Sequence, residues 1–164
     1  MKIINNFIDQ NSFKKLQDLM IEDDTNFPWY YANYKNFKGD GIPQFTHTFF
    51  TPHSYCSNYH TWIHPILDKL KTTALIRIKA NLTMKTQKPF TCNFHRDVAD
   101  NYKHSKTAVF YLNSNNGYTL FKKGKRKVES VENRIVIFDA KEEHTTVTQT
   151  DTNIRVVLNL NFYN

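Results

Sequence analysis

Apolar and polar residues alternate through most of the second half of the chain, and this period of two predicts β-strands. The clearest run, 74–84, alternates isoleucine and leucine with arginine, lysine and asparagine. The strands predicted from these runs are 74–84, 90–96, 107–112, 118–121, 127–131, 134–138, 144–148 and 154–162. Segments 113–117 and 122–125 carry the asparagine, glycine and lysine residues of hairpin turns. Eight short strands at this spacing favour a double-stranded β-helix, the jelly roll.

The first half of the chain carries helical patterns as well as strands. Apolar residues at helical spacing predict a helix at 12–21, with Asp9 or Asn11 as its N-cap and residues 23–26 as its end. Pro65 is placed to open a second helix at 66–71. Strands are predicted at 3–8 and 44–51. The fold class is therefore mostly β, a jelly roll with two or more bracing helices in the N-terminal half.

Length and composition set the domain organisation. A chain of 164 residues with 40% hydrophobic and 23% charged residues is typical of one globular domain. We predict a single domain, 1–164, with N-terminal support at 1–73 and a jelly-roll core at 74–164. The formal charge of +7 is compatible with an acidic partner, nucleic acid included, and equally with a device for solubility. Because the basic residues are dispersed, nucleic acid is not the favoured partner.

The two cysteines, Cys56 and Cys92, are too few for a disulfide framework. The N-terminus lacks the apolar core of a signal peptide, and no stretch has the length of a membrane span. These features predict a cytoplasmic protein that is neither secreted nor bound to a membrane. The abundance of Asn, Lys and Ile with only four glycines is typical of an AT-rich genome, such as that of a virus or of a streamlined bacterium. For a viral protein, the host cytoplasm is the expected location.

Candidate chemistry begins with a His-x-Asp triplet after the predicted strand 74–84. In extended backbone, residues two apart point to the same face, so His95 and Asp97 can converge on one point. His144, at the start of a later strand, is the candidate third ligand. Two imidazoles and one carboxylate form the facial triad of non-haem Fe(II) oxygenases, although zinc competes for the same ligands.

Arg155 follows His144 by eleven residues, at the head of the last predicted strand. A fixed guanidinium near such a metal suits bidentate capture of a carboxylate on a co-substrate. A plain ion pair with Asp139 or Asp151 is the alternative for this arginine.

This order of His-x-Asp, distal His and Arg resembles the 2-oxoglutarate- and Fe(II)-dependent dioxygenases, and within them the compact prolyl 4-hydroxylase-like branch. The Tyr-Leu-Asn at 111–113 and the Gly-Tyr-Thr-Leu at 117–120 are similar to the segment that follows the triplet in those enzymes. The resemblance implies that His95, Asp97 and His144 are both metal ligands and catalytic residues. It also implies that Arg155 and Tyr111 bind the far carboxylate of 2-oxoglutarate. Asn81 and Asn159 are further candidates for lining the co-substrate pocket.

The cofactors implied by the resemblance are Fe(II), 2-oxoglutarate and O2, with ascorbate as a candidate reductant. The expected reaction is hydroxylation of an unactivated C–H bond, in the first place on a peptide or protein residue. Three alternatives stay open: a small-molecule hydroxylase, a nucleic-acid oxidative demethylase and a non-catalytic metal-binding jelly roll. Loops 33–43 and 98–106 are the expected rims of the site.

Overall fold

A computed structural model describes residues 1–22, 26–34 and 42–164. The expected end of the first helix at 23–25 and most of the expected rim loop, 35–41, lie outside the described residues. The helices are α1 (Gln10–Ile21) and α2 (His64–Leu70). The strands are β1 (Lys2–Ile4), β2 (Tyr30–Ala32), β3 (Gln44–Thr51), β4 (Ser54–Tyr55), β5 (Ala74–Met84), β6 (Lys106–Tyr111), β7 (Tyr118–Phe121), β8 (Lys127–Glu129), β9 (Arg134–Asp139), β10 (His144–Val147) and β11 (Ile154–Tyr163).

Two antiparallel sheets face each other. The large sheet has the order β1-β9-β6-β11-β5-β3-β2, with β4 paired to β3, and the small sheet has the order β10-β7-β8. β11 lies at the centre of the large sheet, paired with β5 on one side and β6 on the other. The large sheet therefore takes strands from both halves of the chain.

The outer face of the large sheet is apolar and is covered by the two helices. Phe13, Leu16 and Met20 of α1 are buried in the same cluster as Leu158 and Leu160 of β11. The Asp9 side chain accepts a hydrogen bond from the Ser12 amide at 2.9 Å, so Asp9, one of the two predicted N-caps, caps α1, and the helix begins at Gln10, two residues earlier than predicted. Burial of each large apolar side chain contributes about 1.5–3 kcal/mol, so this interface holds the helices against the sheet.

The inner face of the large sheet has a different character along its length. Near β7 and β8 it forms a second apolar cluster, which includes Tyr111, Phe121 and Phe138. Along β5 and β11 the inward positions are mainly polar, because alternate residues of these strands are Arg, Lys, Asn and Thr. The space between the sheets is therefore a packed apolar core near β7 and β8 and a polar cavity along β5 and β11.

Two predicted elements in the second half of the chain differ from the structure. Segment 90–96 forms only two isolated bridges with β10, Thr91 to Val147 and His95 to His144. Between these bridges three residues, 92–94, face two, 145–146, and such an extra residue interrupts a regular ladder as a bulge does. The predicted hairpin turn at 113–117 instead carries the chain from β6 in the large sheet to β7 in the small one.

The predicted strand at 3–8 is only partly right, because β1 ends at Ile4. The other strand predictions agree closely, and those at 74–84, 118–121 and 44–51 agree in both bounds. Among the described residues, no helix combines the length and the apolar character needed to cross a bilayer.

Candidate metal centre

Three side chains from two segments converge at the open end of the small sheet. His95 and His144 face each other across an antiparallel bridge, with two backbone hydrogen bonds of 3.0 and 3.1 Å. Asp97 follows His95 by two residues, as the extended-strand argument requires. The bridge thus brings together ligands that lie almost fifty positions apart in the sequence.

The donor atoms are spaced as the ligands of one ion would be. Nε2 of His95 lies 3.6 Å from Oδ1 of Asp97, and Nε2 of His144 lies 3.3 Å from Oδ2. One ligand atom from each of the three residues falls within 4.8 Å of the others. Atoms at right angles and about 2.1 Å from a metal are about 3 Å apart, so a small inward movement completes the site. Two nitrogens and a carboxylate fit Fe(II) and leave positions free.

The neighbours of the three ligands orient them for this task. Nδ1 of His144 lies 3.0 Å from the Glu142 carbonyl, and Nδ1 of His95 lies 3.3 Å from the Asn93 carbonyl. A proton on Nδ1 donates to each carbonyl, which leaves the Nε2 lone pair free for a metal. Asn159 donates from Nδ2 to Oδ2 of Asp97 at 3.0 Å, which holds the carboxylate in place.

Electrostatics favour an ionised carboxylate at this position. Burial alone raises the pKa of Asp97, but the charge and hydrogen bonds of His144 and His95 outweigh it and hold the pKa well below the usual value. For His144, burial lowers the pKa, and the hydrogen bond and charge of Asp97 reverse this effect and raise it. A divalent cation that replaces the proton between Nε2 of His144 and Oδ2 of Asp97 is stabilised by the same carboxylate.

Arg155 is the buried cation of the same cavity. The residue is 2% exposed, and no carboxylate of the described chain lies within 4.0 Å of its guanidinium. Its partners are neutral: Nε donates to Oγ of Ser130 at 2.7 Å, and Nη2 donates to Oγ1 of Thr119 at 3.4 Å. Burial lowers the pKa of Arg155, which reflects the cost of holding this charge without an anion. The ion pair with Asp139 or Asp151 that the sequence leaves open is not formed.

Tyr111 supports the guanidinium from one side. The ring centroid of Tyr111 lies 5.5 Å from Cζ of Arg155, and its hydroxyl donates to Oγ1 of Thr119 at 2.8 Å. Thr119 and Arg155 line the cavity, whereas Tyr111 lies behind them. The predicted contact of Tyr111 with 2-oxoglutarate therefore stays a prediction.

Gly117 is required by the close approach of the backbone to Arg155. A Cβ at this position would lie 3.1 Å from Cδ of Arg155, 3.0 Å from the backbone nitrogen of Gln149 and 2.9 Å from Oδ1 of Asn115. Such distances are too short for a side chain unless its neighbours shift. The glycine of the Gly-Tyr-Thr-Leu segment thus leaves the space that the side chain of Arg155 occupies.

Asn81 and Asn159 both line the cavity, in successive rows of the sheet. Asn81 pairs in register with Val157, between the row of Arg155 and the row of Asn159. Asn159 serves Asp97 through its amide nitrogen, and its Oδ1 is buried without a hydrogen-bond partner among the described residues. Their predicted role as co-substrate contacts stays a prediction.

Arg77, Lys79 and Thr119 are among the cavity-lining residues that the sequence predictions did not include. Ser130, which accepts the hydrogen bond from Nε of Arg155, is absent from those predictions as well. Thr119 lies inside the Gly-Tyr-Thr-Leu segment, so that motif held a signal for it. Arg77 and Lys79 belong to the alternating run 74–84, where a polar face is ordinarily the solvent face. No local sequence pattern points to Ser130, since its role depends on a hydrogen bond from Arg155, which is distant in the sequence.

Comparisons with known proteins identify the fold. No protein-family model matches the sequence, and no curated protein is significantly similar to it in sequence. Solved structures do match. A prolyl hydroxylase from Trichoplax adhaerens, in complex with a hypoxia-inducible factor peptide fragment, superposes with a TM-score of 0.71 at 11% identity, over 98% of this chain and 82% of that one.

Two further structures show the range of proteins with this architecture. A Pseudomonas putida prolyl 4-hydroxylase matches with a TM-score of 0.64 at 16% identity, over 99% of this chain and 92% of that one. A non-haem α-ketoglutarate-dependent carbocyclase from nogalamycin biosynthesis matches with a TM-score of 0.68 at 8% identity, over 98% and 78%. The protein has the jelly-roll fold of these enzymes, and the predicted fold class is confirmed. Because one fold hosts many functions, the chemistry has to be argued from the site.

Proposed function

We propose that this protein is a 2-oxoglutarate- and Fe(II)-dependent dioxygenase that hydroxylates an unactivated C–H bond. One observation carries the proposal: a cluster of two histidines and an aspartate shares a cavity with a buried arginine that has no anionic partner among the described residues. The cluster alone suits zinc as well as iron. The unpaired arginine indicates that the cavity binds a carboxylate. A structural zinc site needs no such ligand.

In this proposal His95, Asp97 and His144 hold Fe(II) on one face and leave the other positions to ligands. When bound, the iron couples oxidative decarboxylation of 2-oxoglutarate to C–H hydroxylation, so that substrate, O2 and 2-oxoglutarate yield hydroxylated substrate, succinate and CO2. Asn159 keeps the Asp97 carboxylate oriented through its 3.0 Å hydrogen bond. O2 as oxidant and ascorbate as reductant belong to the same proposal.

Arg155 is assigned the far carboxylate of 2-oxoglutarate. Its guanidinium is held by Ser130 and Thr119, and its side chain meets the cavity that contains Asp97. Desolvation strengthens a charge-assisted hydrogen bond to a carboxylate, and the incoming anion relieves the unpaired charge. The co-substrate would then lie over the row of Asn81, between the arginine and the metal ligands.

For the substrate, we propose a residue of a peptide or protein, as in a prolyl 4-hydroxylase. The support is the Tyr-Leu-Asn and Gly-Tyr-Thr-Leu context and the likeness in fold to a prolyl hydroxylase whose structure contains a peptide fragment. A small-molecule substrate is the second candidate, supported by the likeness to a carbocyclase from nogalamycin biosynthesis.

Anaerobic spectroscopy tests the metal and co-substrate together. Fe(II) and 2-oxoglutarate should produce a weak visible charge-transfer band in the wild-type protein, and admission of O2 should release succinate. His95→Ala should lose both signals because a metal ligand is missing. His64→Ala is the matched control, since His64 is exposed at the start of α2 and does not line the cavity that holds the three ligands. A wild-type protein with neither band nor oxygen-dependent succinate would refute the proposal.

A further inference from the structure

Two cations stand side by side on the inner face of β5, in the cavity of the candidate metal centre. Arg77 and Lys79 are two residues apart, so their side chains leave the strand on the same face. Both line the cavity together with Asp97. Neither has a role in the function proposed above.

Arg77 is held in one orientation. Its Nε donates to Oδ1 of Asn161 at 3.2 Å, and Asn161, fully buried, donates in turn to Oγ1 of Thr107 at 3.0 Å. Nη2 of Arg77 lies 3.5 Å from Oδ1 of Asp97. A guanidinium has five N–H donors, and these contacts leave both donors on Nη1 without a partner in the described chain. The side chain is 37% exposed, so the unused edge is accessible from solvent.

Lys79 has no hydrogen bond and no ion pair with any described residue, although it is half-buried. Burial and the neighbouring charge of Arg77 lower the pKa of Lys79, and Asp97 only partly offsets them. A partly desolvated ammonium without an anion raises the free energy of the folded state. An anionic ligand at this position would relieve that cost.

The register of the sheet places Lys79 level with the metal ligands and Arg77 one row farther from Arg155. Thr83 pairs with Arg155, and Arg77 lies six positions along β5 from Thr83, which corresponds to about 20 Å of strand. Lys79 pairs with Asn159, whose amide contacts Asp97. A co-substrate that joins Arg155 to the metal therefore occupies the Thr83 side of the cavity and leaves the Arg77 side open.

Charge balance points the same way. A divalent metal, Asp97, Arg155 and dianionic 2-oxoglutarate together carry no net charge. The positive charges of Arg77 and Lys79 remain after the proposed cofactors are in place. Two fixed cations beside a reaction centre attract and orient an oxyanion, and a guanidinium edge matches a carboxylate.

We propose that Arg77 and Lys79 bind a carboxylate of the substrate, so that this protein oxidises molecules with a carboxylate close to the reacting carbon. The inference rests on the proposed function and narrows its substrate class. The carboxylate belongs either to a free amino or organic acid or to an acidic or C-terminal residue of a peptide.

Matched acids and amides test the proposal. Succinate release above the substrate-free background is measured with Fe(II), 2-oxoglutarate and ascorbate for three pairs: proline and prolinamide, N-acetylproline and its amide, and the peptides Gly-Pro-Glu and Gly-Pro-Gln. At least one acid should stimulate release, and its amide should be at least about tenfold less effective. The first two pairs report a free or terminal carboxylate, and the third reports an acidic side chain.

Variants then assign the effect to the two cations. Lys79→Met should raise KM for the active acid by about 10- to 100-fold, the loss expected for a hydrogen bond between charged groups. Lys79→Arg should restore most of the affinity, and Arg77→Gln should behave like Lys79→Met. Lys85→Met is the matched control, since Lys85 is exposed just beyond the end of β5. The charge-transfer band, titrated in each variant, reports metal and 2-oxoglutarate binding independently of turnover.

Several results would overturn the proposal. Amides as effective as acids, no stimulation by any of the acids, or a KM change in Lys79→Met no larger than in Lys85→Met would each do so. A weaker 2-oxoglutarate titration in Lys79→Met with an unchanged substrate KM would assign the lysine to the co-substrate instead. Absence of the band in the wild-type protein would refute the proposed function itself, and this inference with it.

Discussion

Replacement of Arg155 by methionine should separate ligand binding from folding. The methionine keeps an unbranched side chain in the buried position and removes the charge. The substituted protein loses two hydrogen bonds from the charged guanidinium to neutral hydroxyls, worth about 1.5 kcal/mol for the 2.7 Å bond to Ser130 and less for the 3.4 Å bond to Thr119. It also loses a buried charge without an anion. Replacement of even a buried ion pair by apolar residues is often neutral or stabilising by about 1–4 kcal/mol, and removal of a buried charge that has no counter-ion is favoured more strongly. We therefore expect a ligand-free Tm equal to or above that of wild type.

Binding of 2-oxoglutarate should show the opposite response. Two charge-assisted hydrogen bonds to a carboxylate are worth about 1.5–3 kcal/mol each, so their loss weakens binding by about 10²- to 10⁴-fold. Co-substrate at 100 times its Kd stabilises the wild-type protein by about 2.7 kcal/mol. At the same concentration the variant gains at most about 0.4 kcal/mol.

Thermal unfolding with and without 2-oxoglutarate measures both effects, with Mn(II) in place of Fe(II) so that oxygen chemistry is avoided. Arg134→Met is the matched control, because Arg134 also makes two hydrogen bonds to neutral acceptors, Asn5 and the Glu129 carbonyl, and lies outside the cavity. The control should lose some stability and keep the full ligand-induced shift. An unchanged shift in Arg155→Met would refute the reasoning, and a large loss of ligand-free stability would make Arg155 a structural residue.

Three other predictions concern the surroundings of the site. Gly117→Ala should displace Arg155 and weaken 2-oxoglutarate binding more than Fe(II) binding. If the variant bound 2-oxoglutarate and Fe(II) as tightly as the wild-type protein does, the close packing at Gly117 would be contradicted. Asn159→Leu should weaken Fe(II) binding by about 10- to 100-fold, as loss of a hydrogen bond to a ligand typically does, and a metal titration of the folded variant measures it. Protonated His144 should stabilise the metal-free protein below pH 6.5, and this stabilisation should be lost as the pH rises through the raised pKa of that residue. Metal affinity should fall as the pH drops through the same pKa, because protons then compete with the metal for His144. Metal titrations at pH 6–8 that give the same affinity throughout would show that protons and metal do not compete for this residue.

Local patterns along the chain predicted much of the architecture. Alternation identified β5, β7 and β3 with their observed bounds, because a period of two is a property of the strand itself. The same alternation placed His95 and Asp97 on one face. The order of His144 and Arg155 along the chain indicated that these two residues belong to the same site. These predictions needed no knowledge of which strands pair.

Pairing, by contrast, was decided by the tertiary structure. The bridge between His95 and His144, with its extra residue, and the change of sheet at 113–117 depend on contacts between distant segments. The inward direction of Arg77 and Lys79 depends on the helices, which cover the other face of β5 and turn its polar side toward the cavity. A strand pattern states that two faces differ, but only the packing of the whole domain decides which face meets solvent and which meets a ligand.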